Sequence, residues 1–327
     1  MVSADGFFLY IWAVNMLKRY LPCIFTAFII PSLLKKQYFC MTVGALCVMV
    51  CCTVASQLDK YSHSFVYNSF MMTDNEKPLI LISNDDGLQA KGIRFLADAV
   101  KDFGHIVVVA PESPRSGAAM SITSRTPIRI EPESVEPDME VYSCSGTPTD
   151  CIKLALETVV ARKPDLVLGG VNHGDNSSVN VHYSGTMGLV LEGCMKHISS
   201  IGFSSCFTSP DADFEPLRPY VRRIVSSVLA RPLPEGICLN VNFPSLLEFR
   251  GMKVCRMSGG SWTNEWQKSV HPKGWTYYWL TGQFTGDDDD SETDTSALSD
   301  GFVSVTPLKL DMTAYSYLCE LDKALSM

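Results

Sequence analysis

Short, continuously apolar runs alternate along this chain with segments of helical periodicity, and that alternation restricts the fold more than any other feature. "PLILIS" (78–83) and "HIVVVAP" (105–111) have the unbroken hydrophobicity of parallel strands covered on both faces. Between them, residues 90–104 place Ile93, Leu96, Ala97 and Val100 at i, i+3, i+4 and i+7, an amphipathic helix. Two strands and a crossover helix in about 30 residues form a right-handed β-α-β unit. The pattern continues with strands expected at 126–131 and 139–143, a helix at 149–162 and a strand at 164–172. A helix follows at 184–198, a strand at 198–205, a helix at 217–230 and a strand at 236–244. The predicted fold class is α/β: a Rossmann-like, mostly parallel sheet with helices on both faces.

Three regions are expected: an apolar extension (1–71), a catalytic core (72–250) and a C-terminal hairpin and oligomerisation segment (251–327). The extension holds five Lys/Arg against Asp5 and Asp59, a balance of +3, so the remaining 256 residues carry −11 of the net −8. An acidic body argues against a duplex nucleic-acid partner, which needs clustered basic charge. Residues 39–56 run 18 residues without a charge, just enough to span a bilayer. The extension reads either as sequence upstream of a true start at Met72, giving a cytoplasmic protein, or as an export signal or membrane anchor through 39–56. Seven of the twelve cysteines lie in the body with no CxxC pair, and the histidines show no HExxH spacing. These are expected to be reduced thiols rather than a disulfide framework or zinc site.

Residues 262–286 hold four of the five tryptophans, and aromatics alternate around "HPKG". A long hairpin is predicted, its aromatics packed either on another subunit or on their own core. "GDDDDSETDTSALSDG" (286–301) reads as a solvated acidic loop, because it lacks the alternating ligand pattern of a calcium site.

Ligands of open parallel sheets gather beyond the carboxyl ends of the strands. Four polar clusters fall there: Asn84-Asp85-Asp86-Gly87, Arg115-Ser116-Gly117, Asn172 to Asn176, and Ser184-Gly185-Thr186. Two adjacent carboxylates at a buried strand end repel each other unless a cation lies between them. Oxygen donors suit Mg2+ or Mn2+ rather than zinc. Alternatively, Asp86 caps a helix and Asp85 is simply exposed. Ser184-Gly185-Thr186 before a helix offers a phosphate cradle or an ordinary cap, and the asparagines offer amide ligands or turn residues. Metal beside phosphate cradle, without a nucleophilic Cys or Ser–His motif, points to metal-assisted phosphoester hydrolysis.

"ILISNDDGLQAKGI", "VVAPESPRSGAAMSIT", "SGTPTDCIKLAL", "PDLVLGGVNHGDN", "YSGTMGLVLEG" and "DGFVSVTPL" resemble, in order, the motifs of the SurE (survival protein E) family of 5'-nucleotidases. The resemblance implies a Rossmann-like core, a C-terminal segment swapped in a homodimer or homotetramer, and divalent-metal-dependent hydrolysis of nucleoside 5'-monophosphates. It implies one Mg2+ or Mn2+ per subunit on Asp85, Asp86, Ser116 and Asn172, with Asp85 and Asp86 catalytic. It sets Asn84, Asn176, Ser184, Gly185 and Thr186 around the phosphate. Residues 1–71 lie outside the family pattern, and Ser178 stands where many members have glycine. Two other readings stay open. One is an aspartyl-phosphate phosphatase, disfavoured because such enzymes use Asp-x-Asp. The other is a non-enzymatic nucleotide- or phosphate-binding module.

Overall fold

A computed structural model describes residues 77–209, 211–286 and 290–326. The expectations for residues 1–71, the span at 39–56 included, lie outside the described residues. Among the described residues, no helix is long and apolar enough to cross a membrane.

Strand β1 (Leu79–Ser83) is buried along its whole length. It pairs in parallel with β2 (His105–Pro111) on one side and β5 (Leu166–His173) on the other. Beyond β2 lie β4 (Met139–Cys144) and the edge strand β3 (Ile130–Glu136). Beyond β5 come β6 (Ser199–Ser205), β7 (Ile237–Phe243), β13 (Val303–Lys309) and β8 (Met252–Val254), completing nine strands in the order β3-β4-β2-β1-β5-β6-β7-β13-β8. The sheet is parallel except where β3 meets β4 and β13 meets β7.

Period-2 alternation divides β1 between two cores. Ile80 and Ile82 join Ile93, Leu96, Val100 and Phe203 on one face, whereas Leu79 and Leu81 join Ile152, Met187 and Val190 on the other. Helices α1 (Lys91–Val100) and α4 (Arg218–Ala230) cover the first face. Helices α2 (Pro148–Thr158) and α3 (Gly185–Met195) cover the second. Each fully buried Leu or Ile in these layers contributes roughly 1.5–3 kcal/mol. Every strand of β1 and its neighbours ends at the same edge of the sheet, so the loops after β1, β2 and β5 converge there.

Several elements depart from the sequence expectation: helix α2 ends at Thr158 instead of 162 and α3 at Met195 instead of 198. The strand placed at 126–131 lies at Ile130–Glu136, where "EPESVE" is largely exposed. An edge strand bonded on one side needs no apolar alternation, and the register breaks between Pro132 and Ser134. Helix α1 ends at Val100, earlier than the periodicity suggests, and residues 101–104 turn into β2.

The C-terminal arm is two short ribbons. Strands β9 (Gly260–Thr263) and β12 (Gln283–Gly286) pair at its base, and β10 (Trp266–Val270) and β11 (Thr276–Leu280) pair at its tip. Gly274 N–H closes the turn on the His271 carbonyl, at the predicted "HPKG". A short helix α5 (Asp294–Ser299) precedes β13, and α6 (Leu318–Leu325) ends the chain. All seven cysteines of the described residues are free thiols, and five are buried.

Candidate functional site

β1 delivers Asn84, Asp85 and Asp86 to the carboxyl edge of the sheet, and Gly87 turns the chain away at φ +93°, a conformation glycine adopts without penalty. Asp85 is buried, and Asp86 is mostly enclosed. Burial pushes the Asp85 carboxyl up to about 6; the Thr186 hydroxyl opposes that rise and the neighbouring Asp86 charge adds to it. Among the described residues no lysine or arginine pairs with either carboxylate. The partner of Asp86 is His173, whose backbone N–H donates to Asp86 Oδ2 at 3.1 Å with its Nδ1 at 3.3 Å from the same oxygen.

The first turn of α3 closes on Asp85. Ser184 caps the helix, its Oγ accepting from Met187 N–H at 3.0 Å. The Thr186 hydroxyl donates to Asp85 Oδ1. Gly185 is required for that approach: a Cβ there would stand 2.7 Å from Asp85 Cβ and 2.9 Å from Oδ2. The Asp85 carboxylate therefore lies against a helix N-terminus, where the exposed peptide dipoles favour negative charge.

The loop after β2 is tied in by its backbone, with Arg115 N–H donating to the Asp85 carbonyl at 2.7 Å. Ser116 follows on an exposed turn. Asn172 lies at the end of β5, its Nδ2 bonded to the Gly174 carbonyl at 2.7 Å. Asn176 is part of a buried polar scaffold. Its N–H donates to Asn242 Oδ1 at 2.7 Å, its Nδ2 to Ser204 Oγ at 2.8 Å, and its carbonyl accepts from Asn240 at 2.8 Å. Asp85, Gly185 and Thr186 are thus in direct contact and Asp86 adjoins Asn172 through His173. Asn176 holds its loop in place through contacts of its own, and Ser116 lies exposed on the loop after β2.

The donor set fits a hard cation. Asn84 Nδ2 bonds the Gly87 carbonyl at 3.0 Å, while its Oδ1 is buried without a hydrogen-bond partner. An orphaned acceptor of that kind, beside two carboxylates with no Lys or Arg, calls for a positive group. Among the described residues no three His, Cys, Asp or Glu side chains gather, so a cation here would rest on two carboxylates plus neutral oxygens. That composition suits Mg2+ or Mn2+.

The sequence reading assigned no role to four residues that hold this site. His173 braces Asp86, and Asn240 and Asn242 carry Asn176. Their partners lie tens of residues away in sequence, so only the folded sheet reveals them. Asp294 is the fourth. It lies in the stretch expected to be a solvated acidic loop, yet it is fully buried. Its carboxylate accepts N–H groups from Ser178 at 2.9 Å, Ser258 at 3.0 Å and Thr295 at 2.8 Å. The signal for it was local: Thr293 caps α5 by accepting from Ser296 N–H, which turns Asp294 inward on the first turn. Ser178 itself has φ +53°, which explains why glycine suits this position. Its hydroxyl donates to the Ser258 carbonyl at 3.0 Å, and with Asp294 this offsets the roughly 1–2 kcal/mol of left-handed strain. The Asp294 cluster ties the base of the arm to the segment leading into Ser184. Asp294→Ala should orphan two buried N–H groups and lower stability by about 3 kcal/mol in urea denaturation. Asp294→Asn should cost less, and equal losses would contradict this account.

Comparison with known proteins gives the family of this chain. The family model described as "Survival protein SurE" matches residues 80–264. A "5'-nucleotidase SurE" of Phocaeicola vulgatus is 55% identical over 247 residues, spanning 75% of this chain and 96% of that protein. The protein of the same name from Bacteroides thetaiotaomicron is 52% identical over 250 residues, spanning 76% and 96%. The crystal structure of the SurE protein from Aquifex aeolicus aligns with a TM-score of 0.66 at 36% identity, covering 76% of this chain and all of that one. The family match spans more than half of the chain and takes in every site residue described above except Asp294: the chain belongs to the SurE family.

Proposed function

We propose that this chain is a divalent-metal-dependent phosphomonoesterase that hydrolyses nucleoside 5'-monophosphates. The single observation that carries the proposal is a carboxylate pair without a Lys or Arg partner, Asp85 lying against the N-terminus of α3 and Asp86 beside it. The substrate class is taken from the names of relatives that are 52–55% identical over three quarters of this chain.

Asp85, Asp86, Ser116 and Asn172 would hold the cation, and the orphaned Oδ1 of Asn84 would face the same positive charge. A bound Mg2+ or Mn2+ supplies Lewis-acid chemistry, neutralising phosphate charge and making water a better nucleophile at neutral pH. The chain's own residues do the rest. The N–H groups at the start of α3 donate to phosphate oxygens, with the Ser184 cap and the Thr186 hydroxyl fixing the turn that presents them. Gly185 keeps that turn within contact of Asp85, so phosphate and carboxylates meet over a few ångströms. The asparagine scaffold around Asn176 holds the loop after β5 so that Asn172 and His173 stay at the sheet edge. One of Asp85 or Asp86 accepts the proton released by the attacking water.

Phosphate release from a panel of nucleoside monophosphates, with the full chain, tests this reading. Release should require added Mg2+ or Mn2+ and stop with EDTA. Asp85→Asn should lower it by about a hundredfold or more. Metal-independent release, or a phosphorylated aspartate trapped with a phosphate analogue, would contradict the mechanism. Nucleotide binding without turnover would favour a binding module.

We also propose that the arm packs on a second copy of this chain. Trp266, Val270, Tyr278 and Leu280 alternate with Trp275 and Trp279, so both faces of the β10–β11 ribbon expose large apolar groups. A two-stranded ribbon is marginal alone, and surface of this kind marks an interface. Sedimentation velocity should find a dimer or tetramer, and Trp266→Ser with Trp279→Ser should shift it toward monomer. A wild-type monomer at all concentrations would sink the proposal.

A further inference from the structure

We infer that His173 is a positioning residue for Asp86, fixing the carboxylate through its imidazole Nδ1; the inference rests on the metal-site reading above. Both contacts from His173 engage one oxygen. Its backbone N–H donates to Asp86 Oδ2 at 3.1 Å, and its Nδ1 stands 3.3 Å from that same atom. An ionised carboxylate only accepts, so Nδ1 carries the hydrogen. Two donors from different directions on Oδ2 restrict rotation of the carboxylate about its terminal torsion. The backbone donor alone would leave that rotation less constrained.

The imidazole is itself held. Phe214, buried in the core, meets its ring edge to face with centroids 5.1 Å apart at 72°, and Phe214 packs in turn on Phe95. The ring therefore lies between Phe214 and Asp86. With the hydrogen on Nδ1, Nε2 is a bare acceptor, and it is buried without a hydrogen-bond partner. Enclosing an unpaired nitrogen costs stability. An aliphatic side chain could pack on Phe214 without that cost, but it could not donate to Asp86. The distinguishing property of this side chain is the Nδ1 donor. At 3.3 Å the contact is near the long limit for an N–H···O bond, which sets the expected effect at the lower end of the usual range for groups that orient metal ligands.

Two substitutions separate orientation from packing. His173→Leu keeps apolar bulk against Phe214 and loses the donor. His173→Asn loses bulk but places an amide N–H near the position of Nδ1. Mn2+ would be titrated into the full chain calorimetrically for wild type and both variants, with phosphate release measured at limiting and saturating Mn2+. His173→Leu should weaken Mn2+ binding about tenfold, and its release should recover at saturating Mn2+. His173→Asn should stay within about threefold of wild type, well inside that loss. Wild-type affinity in His173→Leu, or equal weakening in both variants, would overturn the inference, as would a wild type that binds no Mn2+. Binding decides this inference and release decides the proposed activity, so a wild type that binds Mn2+ but releases no phosphate would defeat the activity alone.

Discussion

Two like charges at the end of a buried strand are the constraint around which the rest of this structure is arranged. β1 is enclosed on both faces and both edges, so the chain must leave it at the rim of the sheet, and it leaves through Asn84, Asp85 and Asp86. Burial there opposes ionisation of Asp85. Each surrounding element answers that cost with hydrogen-bond donors. Thr186 reaches Asp85, His173 reaches Asp86, and Gly185 gives up its side chain to let the helix end approach. No lysine or arginine is among those partners in the described residues. A polar cradle of this kind reduces the cost of the carboxylates without cancelling their charge, which is the condition for a cation to bind.

The same arrangement explains why a helix begins where it does. Ser184 and Thr186 serve as cap and donor within one turn, and the Asp294 cluster fixes the segment that leads into them. Because Asp294 also accepts from Ser258, at the root of the aromatic arm, the arm and the segment leading into Ser184 share one buried acceptor. Trp262 adds a second tie by donating from Nε1 to Asn180 Oδ1 at 2.9 Å. Changes in the packing of the arm thus have a short physical route to the α3 N-terminus.

Much of this was legible in the residues themselves. Apolar runs and the 3.6-residue spacing of Ile93, Leu96, Ala97 and Val100 identify the β-α-β frame, because burial on both faces imposes those periods. The loops bearing Asp85, Arg115, Asn172 and Ser184 were legible too, since strand ends in such sheets share one edge. What escaped was set by tertiary contact. β3 carries no periodic signal because one of its edges and most of its surface meet solvent. Asp294 reads as one more acid among neighbours and becomes buried only when Ser178 and Ser258 fold over it. His173 reads as one member of a polar cluster after a strand, and its pairing with Asp86 spans 87 positions. Conversely, the contrast between Ser178 and the family's glycine was visible in sequence, and the positive φ supplies its reason.

The most direct test of the central claim is anomalous diffraction from crystals of the full chain grown with Mn2+, collected at the manganese edge. The account predicts one strong peak per chain at the Asp85 and Asp86 carboxylates. Absence of a peak there at a Mn2+ concentration that supports phosphate release, or a peak at another cluster, would contradict it.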